Sequence, residues 1–272
     1  MRGAGQGEDA GQPRGAQATE GRGVELTALG WGLLALASAL VGLAKGGLAM
    51  VAMLAVPILS LVMSPVQAAG ILLPIYVISD VFGLIAYRRH YDRRVVVRLL
   101  PGAILGVGLG WATASMVDDA VIGGLVGVIG ASFALLTLLR PPPEDGVPGK
   151  ADWGRGTGWG LVTGYTSFVS HSGAPPYQIY VQPLRLGKET YAGTNTVFFA
   201  VVNAVKLVPY VALGQLGAAN LGKAAVMIPI AAASVFAGVW LVRRVPQAFF
   251  YRFITWALLA VSLKLIADVF RG

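Results

Sequence analysis

Three charged side chains stand inside long apolar runs: Lys45, Asp80 and Lys206. A charge held in hydrocarbon is costly and is kept where it does work. Lys45 lies between two apolar runs; its plainer role is to snorkel to an interface. Asp80 is the only acid deep within the apolar segments, and Lys206 stands one turn from Asn203. An Asp80–Lys206 pair is expected, either as a structural brace or as a group that binds and releases a proton. Under a direct offset Asp80 and Asn203 occupy equivalent positions in the two halves. Around these charges lie two groups of small polar residues, Lys45-Gly46-Gly47 and Ser170-His171-Ser172-Gly173. Glycine lets backbone approach a ligand, serine hydroxyls donate, and freed N–H groups at helix starts attract anions. The chemistry these residues suit is the binding of a compact anion. Ser170 and Ser172 would equally serve helix–helix hydrogen bonds, and His171 either titrates near neutrality or simply bonds its neighbours. Thr194 and Asn195, at the start of the next apolar segment, are placed to cap the same site. Tyr165, Tyr177, Gln178 and Tyr180 are expected in packing or interface anchoring, and His90 among solvated arginines.

Other chemistries lack their residues. There is no cysteine and there are two histidines, so thiol chemistry and a polyhistidine metal centre are excluded. No HExxH, GxSxG or GxxxxGK[ST] occurs, which leaves no support for an intramembrane hydrolase or an ATP-driven pump in this chain. No cofactor is expected. The net charge of +8 does not indicate nucleic acid, because the basic residues sit between apolar runs.

The elements that must position these residues are membrane helices. Hydrophobic residues make up 56% of the 272 and charged ones 12%, about half the soluble norm of about 25%; mean hydropathy is +0.68. Apolar stretches fall at 26–44, 46–63, 68–87, 98–116, 119–139, 158–184, 190–212, 221–242 and 248–270. The expected fold is an all-α integral membrane protein. Residues 1–24 form a disordered tail, 25–139 a first transmembrane half, 140–157 a Pro/Gly-rich cytoplasmic linker and 158–272 a second half.

Lys and Arg crowd the loop 88–98, the linker, the turn after 184, the loop after 242 and the tail. Connections 64–67, 117–120 and 213–221 hold none. Cytoplasmic loops carry the excess, so the chain is expected in the inner membrane with its N-terminus cytoplasmic and its C-terminus periplasmic. Segment 158–184 then begins and ends inside, and 46–63 begins and ends outside. The expectation is seven full spans plus two re-entrant hairpins; eight or nine full spans is the alternative. Each half reads as a hairpin plus three spans, with an extra first span in the first half. Gly47 matches Gly173, Pro57 matches Pro183, and Pro101 in "LLPGAILGVGLG" matches Pro229 in "MIPIAAASVFAG". A unit with an odd number of spans inserts its second copy upside down. Inverted repeats with Gly/Pro breaks at matching positions are the layout of secondary transporters; tight helix contacts alone would also select small residues.

The stretch "AKGGLAMVAMLAVPILSLVMSPVQAAGILLP", followed by Asp80, Tyr87 and "LLPGAILG", resembles the first half of the TauE/SafE sulfite exporter family. "SHSGAPPYQIYVQPLRLGKETYAGTNTVFFAVVNAVKLVPYVALGQL" resembles the second half of its proteobacterial branch. The resemblance covers about residues 30–268. It implies export of sulfite, organosulfonates or related sulfur oxyanions such as thiosulfate, driven by the proton gradient. The implied partners are that anion, protons and the lipid bilayer, with homodimerisation open. An anion channel and a membrane scaffold without transport are the competing readings.

Overall fold

A computed structural model describes residues 26–116, 119–139, 149–244 and 247–270. Ten α-helices follow one another: α1 (Ala28–Lys45), α2 (Ala55–Leu59), α3 (Pro65–Tyr87), α4 (Arg93–Thr113), α5 (Asp119–Leu139), α6 (Trp153–Ser170), α7 (Ala174–Val181), α8 (Lys188–Ala212), α9 (Ala218–Arg244) and α10 (Gln247–Val269). No strand occurs among the described residues. Among the described residues five helices, α1, α3, α4, α8 and α9, are long and apolar enough to cross a membrane.

Polar residues at the loop ends start the helices. The Thr27 hydroxyl accepts from the Gly30 N–H at 3.2 Å. Ser64 and Gln67 form a capping box ahead of Pro65, the first residue of α3. The Asp92 carboxylate accepts from Arg94 N–H at 2.8 Å and Val95 N–H at 3.3 Å, so α4 begins five residues before the apolar run expected at 98. Likewise Asp152 caps α6 through the Arg155 N–H at 2.8 Å. α6 therefore begins inside the segment expected to be linker.

The second expected hairpin breaks where it was expected to, and the first differs in form. Segment 158–184 is a long helix, α6, broken at His171 and followed by the eight-residue α7. Segment 46–63 is not a pair of helical arms: a 3-10 helix over Ala49–Leu54 leads into the five-residue α2. The physical partner of these short pieces is α1, which breaks at Gly46-Gly47. Gly47 takes φ +117 and its missing Cβ would meet the Tyr87 hydroxyl at 2.8 Å, so glycine is required there by conformation and by space.

Glycines set the closest helix crossings. α1 lies against α9, with Gly42 on the Ala231 carbonyl and Gly46 on the Val235 carbonyl. α6 lies against α4, with Gly160 on the Leu99 carbonyl and Gly164 on the Ala103 carbonyl. In both crossings residue numbers rise together, so the paired helices run parallel. Small residues at these lines let the backbones approach without a hydrophobic driving force. α3 packs antiparallel to α8, and α5 antiparallel to α10.

Candidate functional site

The site lies halfway along α3 and α8. Tyr76 is the middle residue of α3, and one face of α8 carries Asn195, Phe199, Asn203 and Lys206 at helical spacing. The ends of α1 and α6 come to this level from the two broken segments. Between them is a cavity of about 30 Å³ whose polar lining is Lys45, Tyr76, Ser167, His171, Asn195 and Asn203. That is room for about one or two waters.

Lys45, the last residue of α1, places its Nζ 2.6 Å from Asp80 Oδ1, with both side chains nearly sealed from solvent (4% and 5% exposed). The contact is one of charge rather than an aligned hydrogen bond, since Oδ1 has no partner with hydrogen-bond geometry. The other oxygen, Oδ2, accepts from Asn203 Nδ2 at 2.7 Å. The Lys45 ammonium also sits 5.4 Å from the Tyr76 ring centre and 5.6 Å from that of Phe199, distances at which aromatic faces attract cations.

Lys206 is 0% exposed. Its Nζ donates to the Ser167 carbonyl at 3.0 Å and the Ser167 hydroxyl at 3.2 Å, and lies 2.7 Å from His171 Nδ1. His171 Nε2 faces the Ala69 carbonyl at 3.0 Å. A carbonyl only accepts, so Nε2 carries the ring proton and Nδ1 accepts from Lys206. All three donors of the ammonium are thus used. Ser167 and the residues after it end α6, and helix-terminal carbonyls favour a cation. His171 is held at φ 54, a left-handed cap that turns its ring inward, and Tyr76 stacks on it at 4.6 Å.

The expected residues divide into two groups. Lys45, His171, Asn195 and Asn203 line the cavity, and Asp80 and Lys206 bond directly to lining residues. The expected Asp80–Lys206 brace is corrected: Asp80 takes Lys45 as its cation, while Lys206 is held by Ser167 and His171. Gly46, Gly47, Ser170, Ser172, Gly173 and Thr194 stand outside the lining. The Gly46 carbonyl accepts from Tyr87 at 2.6 Å. Ser170 donates back to the Thr166 carbonyl, and Ser172 to that of Ser170, each at 3.3 Å. Gly173 fits against Phe199 and Ser167. Thr194 donates to the Thr190 carbonyl at 2.6 Å and accepts from the Asp92 N–H at 2.9 Å, tying α8 to the loop before α4.

Tyr76, Ser167 and Phe199 line the site and were not expected there. Spacing carried a signal for two of them: Tyr76 is four residues before Asp80, and Phe199 lies midway between Asn195 and Asn203. Nothing in the spacing of Ser167 distinguished it.

The arrangement is a buried electropositive pocket. Two lysine side chains stand here against one carboxylate, and among the described residues no carboxylate lies within ion-pair distance of Lys206. Asn195 adds a buried amide oxygen with no hydrogen-bond partner. Neither the curated proteins nor the solved structures contain a match to the chain. The family model described as "Sulfite exporter TauE/SafE" matches residues 34–265, which take in both broken segments and every residue of the pocket. The chain belongs to the sulfite exporter TauE/SafE family, a family of membrane transporters and not of enzymes.

Proposed function

We propose that the chain exports sulfite, or a sulfonate or sulfur oxyanion of similar size, through the cavity between α1 and α6. The observation that carries this reading is the unbalanced charge: Lys45 and Lys206 against Asp80 alone. An anion bound between the two ammonium groups supplies the missing negative charge in a medium that screens little. The Asn203 amide adds a neutral donor beside the two lysines. The cavity is smaller than such an anion, so loading requires α1 and α6 to part, as alternating access demands.

The packing supports an inverted repeat in which α1 with α2 is the counterpart of α6 with α7. α1 lies on α9 as α6 lies on α4, and the crossings fall at Ala231 and Ala103, each two residues after a helix-interior proline, Pro229 and Pro101. Because α1 parallels α9, it starts on the side of the Lys/Arg-free turns and ends beside Tyr87 and the arginine loop. This reading replaces the seven-span count: residues 26–63 and 153–184 become the two re-entrant units, with six full crossings, and α1 begins on the periplasmic side. The chain lacks cysteine, so Leu29→Cys and Tyr91→Cys, both exposed positions, are expected to label from opposite sides of the membrane. Labelling from one side would end this topology.

Coupling follows from the same charges. A proton on Asp80 makes the site more positive, so protonation and anion binding reinforce each other by linkage. In proteoliposomes loaded with sulfite, sulfoacetate, thiosulfate or sulfate, efflux of the preferred anion is expected to saturate and to quicken when the loading side is acidified. Efflux that rises linearly with concentration and ignores the pH gradient would favour the channel reading instead.

A further inference from the structure

A second, larger cavity of about 140 Å³ lies beyond the end of α6, with Val66, Ala69, Thr113, Phe168, Tyr210 and Gln215 among its walls. It is formed where α3 begins, where α4 ends and where α8 turns into α9. Those are the ends next to the Lys/Arg-free connections, so the cavity belongs to the periplasmic side under the topology proposed above. Its walls are mostly apolar and hold no charged side chain.

One layer of side chains divides this vestibule from the anion pocket. Ser167 lines the pocket and Phe168, the next residue, lines the vestibule. His171 lines the pocket, and its Nε2 is bonded to the carbonyl of Ala69, which lines the vestibule. Tyr210 closes the layer: its hydroxyl donates to the Phe168 carbonyl at 2.8 Å, and its ring lies 5.4 Å from that of Phe168 and 6.1 Å from that of His171. Lys206 and Tyr210, four residues apart on α8, therefore hold two consecutive carbonyls in the last turn of α6. The anion pocket and the dividing layer share that turn.

We propose that Phe168, His171 and Tyr210 form the outer gate of the transport path and its size filter, and that a bound anion opens it. This inference rests on the export reading above. An oxyanion that takes the Lys206 ammonium competes with the Ser167 carbonyl for it. Losing that bond weakens the hold of Lys206 on the α6 end, which keeps its bonds to the Ser167 hydroxyl and His171 together with the Tyr210 and His171–Ala69 bonds. The α6 end then swings from α8, Phe168 leaves the path, and the anion passes into a vestibule with no cation to retain it. The filter acts at Phe168: the aperture freed by its movement sets the largest sulfonate that passes.

The test uses full-length single-cysteine proteins in right-side-out vesicles and a membrane-impermeant anionic thiosulfonate. Thr113→Cys, in the vestibule, is expected to react quickly from outside in every background. Ala52→Cys, in the pocket lining, is expected to react slowly. Adding Tyr210→Phe, which keeps the ring and removes one neutral hydrogen bond, should quicken Ala52→Cys labelling roughly fivefold, the factor such a bond is worth. Saturating sulfoacetate, which unlike sulfite does not consume the thiosulfonate, should quicken it too. Phe168→Ala should shift export toward larger sulfonates relative to sulfite. The gate is refuted if Thr113→Cys is unreactive from outside, or if Ala52→Cys labelling is the same with and without Tyr210→Phe. Sulfite titration of the same proteins in detergent separates the two claims: unchanged binding with an unchanged labelling rate refutes the gate alone, whereas no binding at all refutes the export site.

Discussion

Lys45→Ala is expected to abolish sulfite transport and to weaken the fold by about 3–5 kcal/mol, the cost of stranding one member of a buried ion pair. The stranded group is the Asp80 carboxylate, which keeps only the Asn203 amide. The double replacement Lys45→Ala/Asp80→Asn should recover most of that stability, because no unpaired charge remains. It should not recover transport. One charge-assisted hydrogen bond to the anion, about 1.5–3 kcal/mol, is lost with Lys45, which lowers affinity by about tenfold to a hundredfold. Asp80→Asn alone moves the other way on binding: the pocket gains net positive charge, so sulfite should bind more tightly while the response to a pH gradient disappears. Thermal unfolding in detergent, with and without sulfite, reads both effects. A double variant as unstable as Lys45→Ala would show that the pair does not brace the fold, and sulfite stabilisation surviving in it would remove Lys45 from the site.

Lys206→Met is expected to cost transport more than it costs stability. Methionine fills a similar volume, but the Ser167 carbonyl and hydroxyl and His171 Nδ1 lose their donor. Each buried acceptor left unpaired costs about 1–3 kcal/mol, partly relieved because the Ser167 carbonyl also accepts the His171 backbone N–H at 3.1 Å. The functional loss is larger because the pocket becomes electrically neutral: Lys45 and Asp80 balance, and the anion has no excess charge to meet. Calorimetric titration with sulfite should show binding lost in a protein that still elutes as a folded species. Unchanged affinity would assign Lys206 to bracing α6 and nothing more.

The charges were legible in the sequence because hydrocarbon makes them conspicuous: Lys45, Asp80 and Lys206 each interrupt an apolar run. Their pairing was not. Asp80 has a lysine 35 residues before it and another 126 residues after it, and choosing between them requires knowing that the end of α1 reaches the middle of α3. The two breaks were legible too, at Gly46-Gly47 and at Ser170 to Gly173, but their residues work differently from the expectation. Glycine is needed at 47 for its backbone angle and for room beside Tyr87, and the serines satisfy backbone carbonyls within their own segment. The rest of the lining comes from Tyr76 on α3 and from Asn195, Phe199 and Asn203, one helical turn apart on α8. Apolar periodicity hides these, because a helix that is hydrophobic all round has no face that points to its polar partner. Direction along α1 was hidden for a related reason. Its ends carry no decisive charge apart from the tail arginines, and only the parallel contact with α9 opposes them.

The anion is expected to sit between Lys45 and Lys206. Selenite has the shape and charge of sulfite and scatters anomalously, so its selenium can be located directly in crystals of the full chain. One site is expected in the pocket between α1 and α6, with oxygens about 3 Å from the Lys45 or Lys206 ammonium, absent in Lys206→Met crystals. Selenium found elsewhere in the wild-type chain, with the pocket unoccupied, would contradict it.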